Sequence, residues 1–223
     1  VIKTGTIFHP KCGGPDLMVE EDGRVHVDGL GYITRAWNKN IDKWKDLITK
    51  GASDWGVPEA WIAGVMLQES GGTQGALSPA GAVGLMQIMP STPMQVFQIK
   101  ISKEDLYKPE NNVDIGARLL AMLGDKSNWN PVFVAASYNA GSMYCYSGKN
   151  CDHPGLWNIN ENCGYAEQVV RGINAAIGAG YSGTGAGSSS SDLSTGAKVF
   201  IGSLALALPV AAVLVIKRRR GSI

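Results

Sequence analysis

Glu69 is the residue in this chain best suited to hand over a proton. It closes a mostly apolar run, Ile62-Ala63-Gly64-Val65-Met66-Leu67-Gln68-Glu69, and Ser70-Gly71-Gly72 follow at once. Met66, Leu85, Met86, Met89 and Tyr138 are candidate walls around it. Apolar walls disfavour the charged form of a carboxyl and raise its pKa. Such a group stays protonated near neutral pH and can act as a general acid. No second acid falls between Ser70 and Thr92 or between Ser137 and Gly141. His9, His26 and His153 show neither triad nor ligand spacing and are read as structural.

The elements that must position Glu69 read as helices. Ile41, Trp44, Leu47 and Ile48 recur at helical spacing, and Gly56-Val57 breaks that helix. Pro58 suits the first position of the next helix and Glu59 its positive end. Ile62, Val65 and Met66 give that helix an apolar face, placing Glu69 on its last turn at the edge of a cleft. Leu77-Ser78-Pro79-Ala80-Gly81 reads as a turn, followed by a short helix over Val83–Met89 that Pro90 ends. Further helices are expected from near Ser91, capped by that serine, over Asn111 to about Leu123, over Pro131–Tyr138, and from about Tyr165 to Ile177.

Several blocks in this order resemble a known family. Glu69-Ser70-Gly71-Gly72, the run Leu77 to Thr92 containing Gly84-Leu85-Met86-Gln87-Ile88, the stretch Tyr107 to Leu120, and Ser137-Tyr138-Asn139-Ala140-Gly141 are similar to the soluble-lytic-transglycosylase type of lysozyme-like domain. The resemblance covers about 140 residues. It implies a mainly α, goose-type lysozyme-like domain. It also implies cleavage of the β-1,4 bond between N-acetylmuramic acid and N-acetylglucosamine in peptidoglycan, leaving a 1,6-anhydro product. Glu69 would be the sole catalytic carboxylate. Ser78, Gln87, Met89, Tyr138 and Asn139 would contact substrate or brace the site, with Tyr138 bonded to Glu69. Ser78 is equally a turn residue, and Met86 and Met89 are also good core residues. The Asn-Pro pair common after Glu-Ser in the family is replaced here by Gly72-Thr73-Gln74-Gly75.

The chemistry fits one acid. Glu69 protonates the departing oxygen, and the sugar's N-acetyl group stabilises the cation. Ionised Glu69 then takes the proton of the sugar's 6-hydroxyl as that oxygen attacks, with the large effective molarity of an internal nucleophile. A hydrolytic muramidase would need a second carboxylate, for which Glu104, Asp105 and Asp114 are candidates. A third possibility is a membrane-tethered assembly protein that grips peptidoglycan without cutting it.

The rest of the chain sets the context. Residues 1–36 form a β-leaning extension with a hairpin signal at Asp22-Gly23. Residues 37–178 hold the lysozyme-like domain, and 179–196 a Gly/Ser-rich linker. Residues 197–217 are expected to form a transmembrane helix, with 218–223 a basic tail. The apolar segment Val199–Ile216 would reach roughly 27 Å as a helix, close to a bilayer core. Lys217-Arg218-Arg219-Arg220 should stay on the inner face, leaving the domain outside facing the wall. Net charge is +1 and charged residues make up 17%, so nucleic acid is not an expected partner. The N-terminus shows no secretory signal. That favours a virion-associated enzyme delivered from outside, opening the wall to the phage genome, over one of the bacterial envelope. Other virion or envelope-complex proteins are the further expected partners. Cys12, Cys145, Cys151 and Cys163 allow three pairings if all are oxidised. Cys145, Cys151, His153 and Cys163 match no common zinc spacing, and neither metal nor cofactor is expected.

Overall fold

The helix that ends at Glu69 is the centre of the structure. The computed structural model describes residues 2–8, 15–140 and 162–185. All of them lie in the first of two units, Val1–Ser188, and the second, Ser189–Ile223, falls outside the described residues. Helices α1 (Lys45–Trp55), α2 (Glu59–Glu69), α3 (Thr92–Phe97), α4 (Lys103–Leu106), α5 (Pro109–Ser127), α6 (Pro131–Ala140) and α7 (Asn162–Gly178) follow a 3-10 turn at Lys39–Trp44. Ala60 through Leu67 are all buried, so α2 has no solvent face and is a core helix. It packs on α7 backbone to backbone. A Cβ added to Gly64 would lie 2.8 Å from the Ile173 amide, and one on Gly172 would lie 3.0 Å from the Gly64 carbonyl.

Helix ends follow local chemistry. Gly56 closes α1 in the left-handed region at φ 66°. Pro58 takes the N-cap position with extended backbone, one residue earlier than expected. Helix α5 runs further at both ends than the expected 111–123, with Pro109 at its start. Ser91 precedes α3 but makes no side-chain cap bond. Ser102, in contrast, accepts from the Asp105 amide at 3.0 Å and caps α4.

The expected helix over Val83–Met89 does not form. Val83 instead bridges Leu77 on one side and Ile88 on the other, with Val83 N–H to Ile88 O and Ile88 N–H to Val83 O both 3.0 Å. Residues 84–87 turn the chain, with Gly84 at φ 79° and Gln87 at φ 48°. A Cβ on Gly84 would meet Asn112 Nδ2 at 2.4 Å, so only glycine fits. Val83, Leu85, Met86 and Ile88 are each 2% exposed or less. A stretch buried at nearly every position lacks period-2 alternation, and its apolar spacing imitates a helix.

The extension folds as expected into a small sheet. Strands β1 (Ile7–Phe8), β2 (Leu17–Val19) and β3 (Val25–Val27) are antiparallel in that order, with Leu17 opposite Val27 and Val19 opposite Val25. Those four side chains are buried while Met18 and His26 are partly exposed. The turn between β2 and β3 carries Gly23 at φ 86°. Tyr181 is also buried, donating to Asp42 at 3.1 Å, so the fold continues into the stretch that composition assigns to the linker. The expected membrane segment Val199–Ile216 and residues 145 and 151 lie outside the described residues, as do Cys12 and the side chain of Cys163. Among the described residues no helix is long and apolar enough to cross a membrane. No group of three or more metal-ligand side chains could hold an ion there either.

Candidate active site

Glu69 is the last residue of α2, and the chain leaves the helix through Ser70. Ser70 Oγ donates to the Leu85 carbonyl at 2.7 Å and accepts from the Gly72 amide at 3.1 Å. The helix end is thereby tied to the small hairpin of residues 77–88. Tyr165, in the first turn of α7, donates its hydroxyl to Glu69 Oε1 at 2.6 Å. Burial, opposed in smaller part by the Tyr165 bond, raises the Glu69 carboxyl to about 7. Near neutral pH the group is therefore shared between acid and carboxylate. That is the condition for a residue that first gives a proton and then takes one.

The tyrosine bonded to Glu69 is thus Tyr165 and not Tyr138. The Tyr138 hydroxyl donates to the Met86 carbonyl at 2.9 Å. Burial first, and the Glu69 charge second, push both tyrosine hydroxyls well above their ordinary range, so both remain donors. Tyr138 acts on Glu69 as a near neighbour while bracing the loop. Sequence reasoning placed Tyr165 only as the start of a helix. The available signal was its register: Tyr165, Val169 and Ile173 share one face, so the hydroxyl heads a buried stripe.

Asn112 is the second residue that sequence reasoning passed over. It is fully buried. Its Oδ1 accepts from the Met86 amide at 2.8 Å, and its Nδ2 donates to Val83 O and Leu106 O, both 2.9 Å. Met86 is therefore held at its N–H by Asn112 and at its C=O by Tyr138. This grip keeps the next residue, Gln87, in a left-handed conformation that a residue with a Cβ rarely adopts. Gln87 Nε2 donates to Gly84 O at 2.9 Å and Ala76 O at 3.2 Å, which aims the side chain.

The other expected contacts fall around the same hairpin. Ser78 Oγ accepts from the Ala82 amide at 3.0 Å, so it is a turn residue whose proton can still be donated. Met89 is 37% exposed just beyond Ile88. Asn139 is exposed beside Tyr138 on α6. Of the acids considered as a second carboxylate, Asp105 is paired with Lys108 at 2.7 Å and Asp114 accepts from Trp55 Nε1 at 2.8 Å. Glu104 is exposed on α4.

A helical, lysozyme-like domain with a largely buried, tyrosine-bonded glutamic acid at the end of its core helix is the class that fold and site define. Residues 46–149 match the family model described as the transglycosylase SLT domain, and the chain carries a domain of the soluble lytic transglycosylase family. It is 39% identical over 113 residues to membrane-bound lytic murein transglycosylase C of Histophilus somni, covering 45% of this chain and 31% of that protein. It is 35% identical over 103 residues to the soluble lytic murein transglycosylase of Escherichia coli, covering 44% and 16%. Among solved structures it resembles the 70 kDa soluble lytic transglycosylase of Escherichia coli. The TM-score is 0.52 and the identity 26%, covering 63% of this chain and 25% of that one. The matched region is thus a minor part of each of these relatives.

Proposed function

We propose that this protein is a peptidoglycan lytic transglycosylase that cuts the β-1,4 bond between N-acetylmuramic acid and N-acetylglucosamine and leaves a 1,6-anhydro end. The observation that carries this reading is Glu69 held near neutral pKa by burial, with the Tyr165 hydroxyl 2.6 Å away. One group with that pKa can protonate the leaving oxygen and then accept the 6-hydroxyl proton. The commitment of Asp105 and Asp114 to other partners supports the single-carboxylate route. Ser78, Gln87, Met89, Tyr138 and Asn139 are the proposed substrate-side residues around Glu69. Mass spectrometry of muropeptides released from purified sacculi tests the reaction. Anhydromuramic ends are expected, and reducing muramic ends would point to hydrolysis instead.

The finer setting belongs to the same proposal. Val199–Ile216, backed by Lys217-Arg218-Arg219-Arg220, anchors the enzyme with its domain facing the wall. The enzyme acts from a virion, opening the wall to the phage genome. Recovery of the chain in purified particles is expected, and its absence there would leave a bacterial envelope setting. That several of the relatives matched in sequence are named as membrane-bound lytic murein transglycosylases is consistent with work at the envelope.

A further inference from the structure

The segment that precedes the family match is bonded to both helices of the catalytic pair. Ile33 O accepts from Asn174 Nδ2 at 2.8 Å and Thr34 O from Arg171 at 3.1 Å, both on α7, the helix of Tyr165. Arg171 is itself held by Glu167 at 2.8 Å. One residue later, Arg35 donates to Gln68 Oε1 at 2.6 Å, next to Glu69 on α2. Asn38 Nδ2 then donates to Gly71 O at 2.9 Å and Trp44 Nε1 to Gly72 O at 3.0 Å. Residues on both chain sides of Glu69 are therefore gripped by one short stretch.

The grip falls where a helix is weakest. The last turn of any helix has carbonyls without intrahelical partners and frays readily. Glu69 sits on that turn, and two glycines with positive φ, Gly71 and Gly72, follow it. Glu69 must nevertheless keep its place against Tyr165 to within a fraction of an ångström, since a displacement of about 1 Å costs on the order of a hundredfold in rate. The packing of Gly64 on Gly172 fixes where the two helices cross, but that contact lies more than one turn before Glu69.

We propose that residues 33–44 are a positioning strap for Glu69, with Arg35 and Asn38 as its positioning residues, fixing the last turn of α2 against the α7 helix that carries Tyr165. This rests on the proposed catalytic role of Glu69. Among the described residues, the titratable groups that act on Glu69 are Tyr165 on α7 and Tyr138 on α6. Neither belongs to the strap, so a strap variant reaches Glu69 only through its position and hydration, or through the charge of Arg35 itself.

These effects differ in sign. Removing a nearby cation or weakening the Tyr165 bond raises the Glu69 pKa, whereas admitting water to the buried carboxyl lowers it by the larger effect. The test uses the full chain as wild type, Arg35→Ala, Arg35→Lys and Asn38→Asp, with the exposed hairpin variant Arg24→Ala as control. Glu69 is titrated by carboxyl carbon NMR, and turnover is measured on soluble peptidoglycan strands. Arg35→Ala should lower the Glu69 pKa by about one unit. It should also cut kcat about tenfold while KM changes less than about twofold. Arg35→Lys, which can still donate to Gln68, should recover most of both. Asn38→Asp keeps the acceptor for the Asn40 amide but loses the donor to Gly71, and should lower kcat even if Arg35→Ala does not fold. An unchanged or raised Glu69 pKa with unchanged kcat in folded strap variants, even at lower Tm, would overturn the proposal. A wild type that cleaves no glycan would defeat the catalytic reading instead, and the titration would still decide the strap.

Discussion

Asn112 and Asn174 bury the same carboxamide in two different regions and use it identically. In each, Oδ1 takes one backbone N–H while Nδ2 gives to two backbone carbonyls. Asn112 on α5 holds the hairpin of residues 77–88, inside the family match. Asn174 on α7 holds β3 and Ile33, in the sheet that lies outside it. The first fixes a turn that would not otherwise keep Gln87 at positive φ. The second satisfies the open edge of a strand whose alternation already specifies its register. The same three bonds therefore place a proposed substrate-side residue in one region and tie the sheet and the start of the strap to α7 in the other.

Breaking the two amides separately should separate those roles. Asn112→Ala is expected to have the largest effect. It orphans a buried N–H and two buried carbonyls, at a cost of about 3–4 kcal/mol in urea unfolding. Activity per folded molecule should also collapse, because Gln87 and the Leu85 carbonyl that holds Ser70 both move. Asn174→Ala frees the same set of buried groups, one N–H and two carbonyls, and should cost about as much in unfolding. Its activity should fall no more than a few-fold. Equal loss of activity in both variants would erase the distinction. Tyr165→Phe should do least to stability and sharpen the site side of the comparison. The lost bond lowers the Glu69 pKa, so its removal with burial intact raises that pKa. The alkaline limb of kcat should then move up by about half a unit to one unit from near 7.

Glu69 also links the site to stability. Its folded pKa of about 7 lies above the ordinary 4.5, so the folded state holds the proton more tightly. Its contribution to stability is complete below about 4.5 and is lost as pH rises through 7. Relative to wild type, Glu69→Gln should therefore gain stability across that window, by at most about 3–4 kcal/mol, and stay level above it. Thermal melts at pH 4.5, 6 and 8 would show the gain, and a constant difference would contradict the raised pKa.

The legibility of these regions in the sequence differs for physical reasons. The helix of Glu69 could be read because Ile62, Val65 and Met66 repeat at its period and Gly71-Gly72 stop it. The β2–β3 hairpin could be read because its buried and exposed residues alternate around Asp22-Gly23. Residues 83–88 imitate a helix because nearly all of them are buried, which removes the alternation that marks a strand. Tyr165 and Asn112 reach their partners across 96 and 26 residues of chain, and no local pattern encodes such a pairing. Tyr138 was placed near the right group but on the wrong acceptor, since motif order cannot say which of two buried hydroxyls faces the carboxyl.

Digestion of purified sacculi by wild type and Glu69→Gln, followed by mass spectrometry of the soluble products, bears most directly on the account. A folded Glu69→Gln protein should release at least about a thousandfold less anhydromuropeptide than wild type, because Glu69 is the proposed donor to the leaving oxygen. Release of the same products at an undiminished rate by that variant would contradict the account.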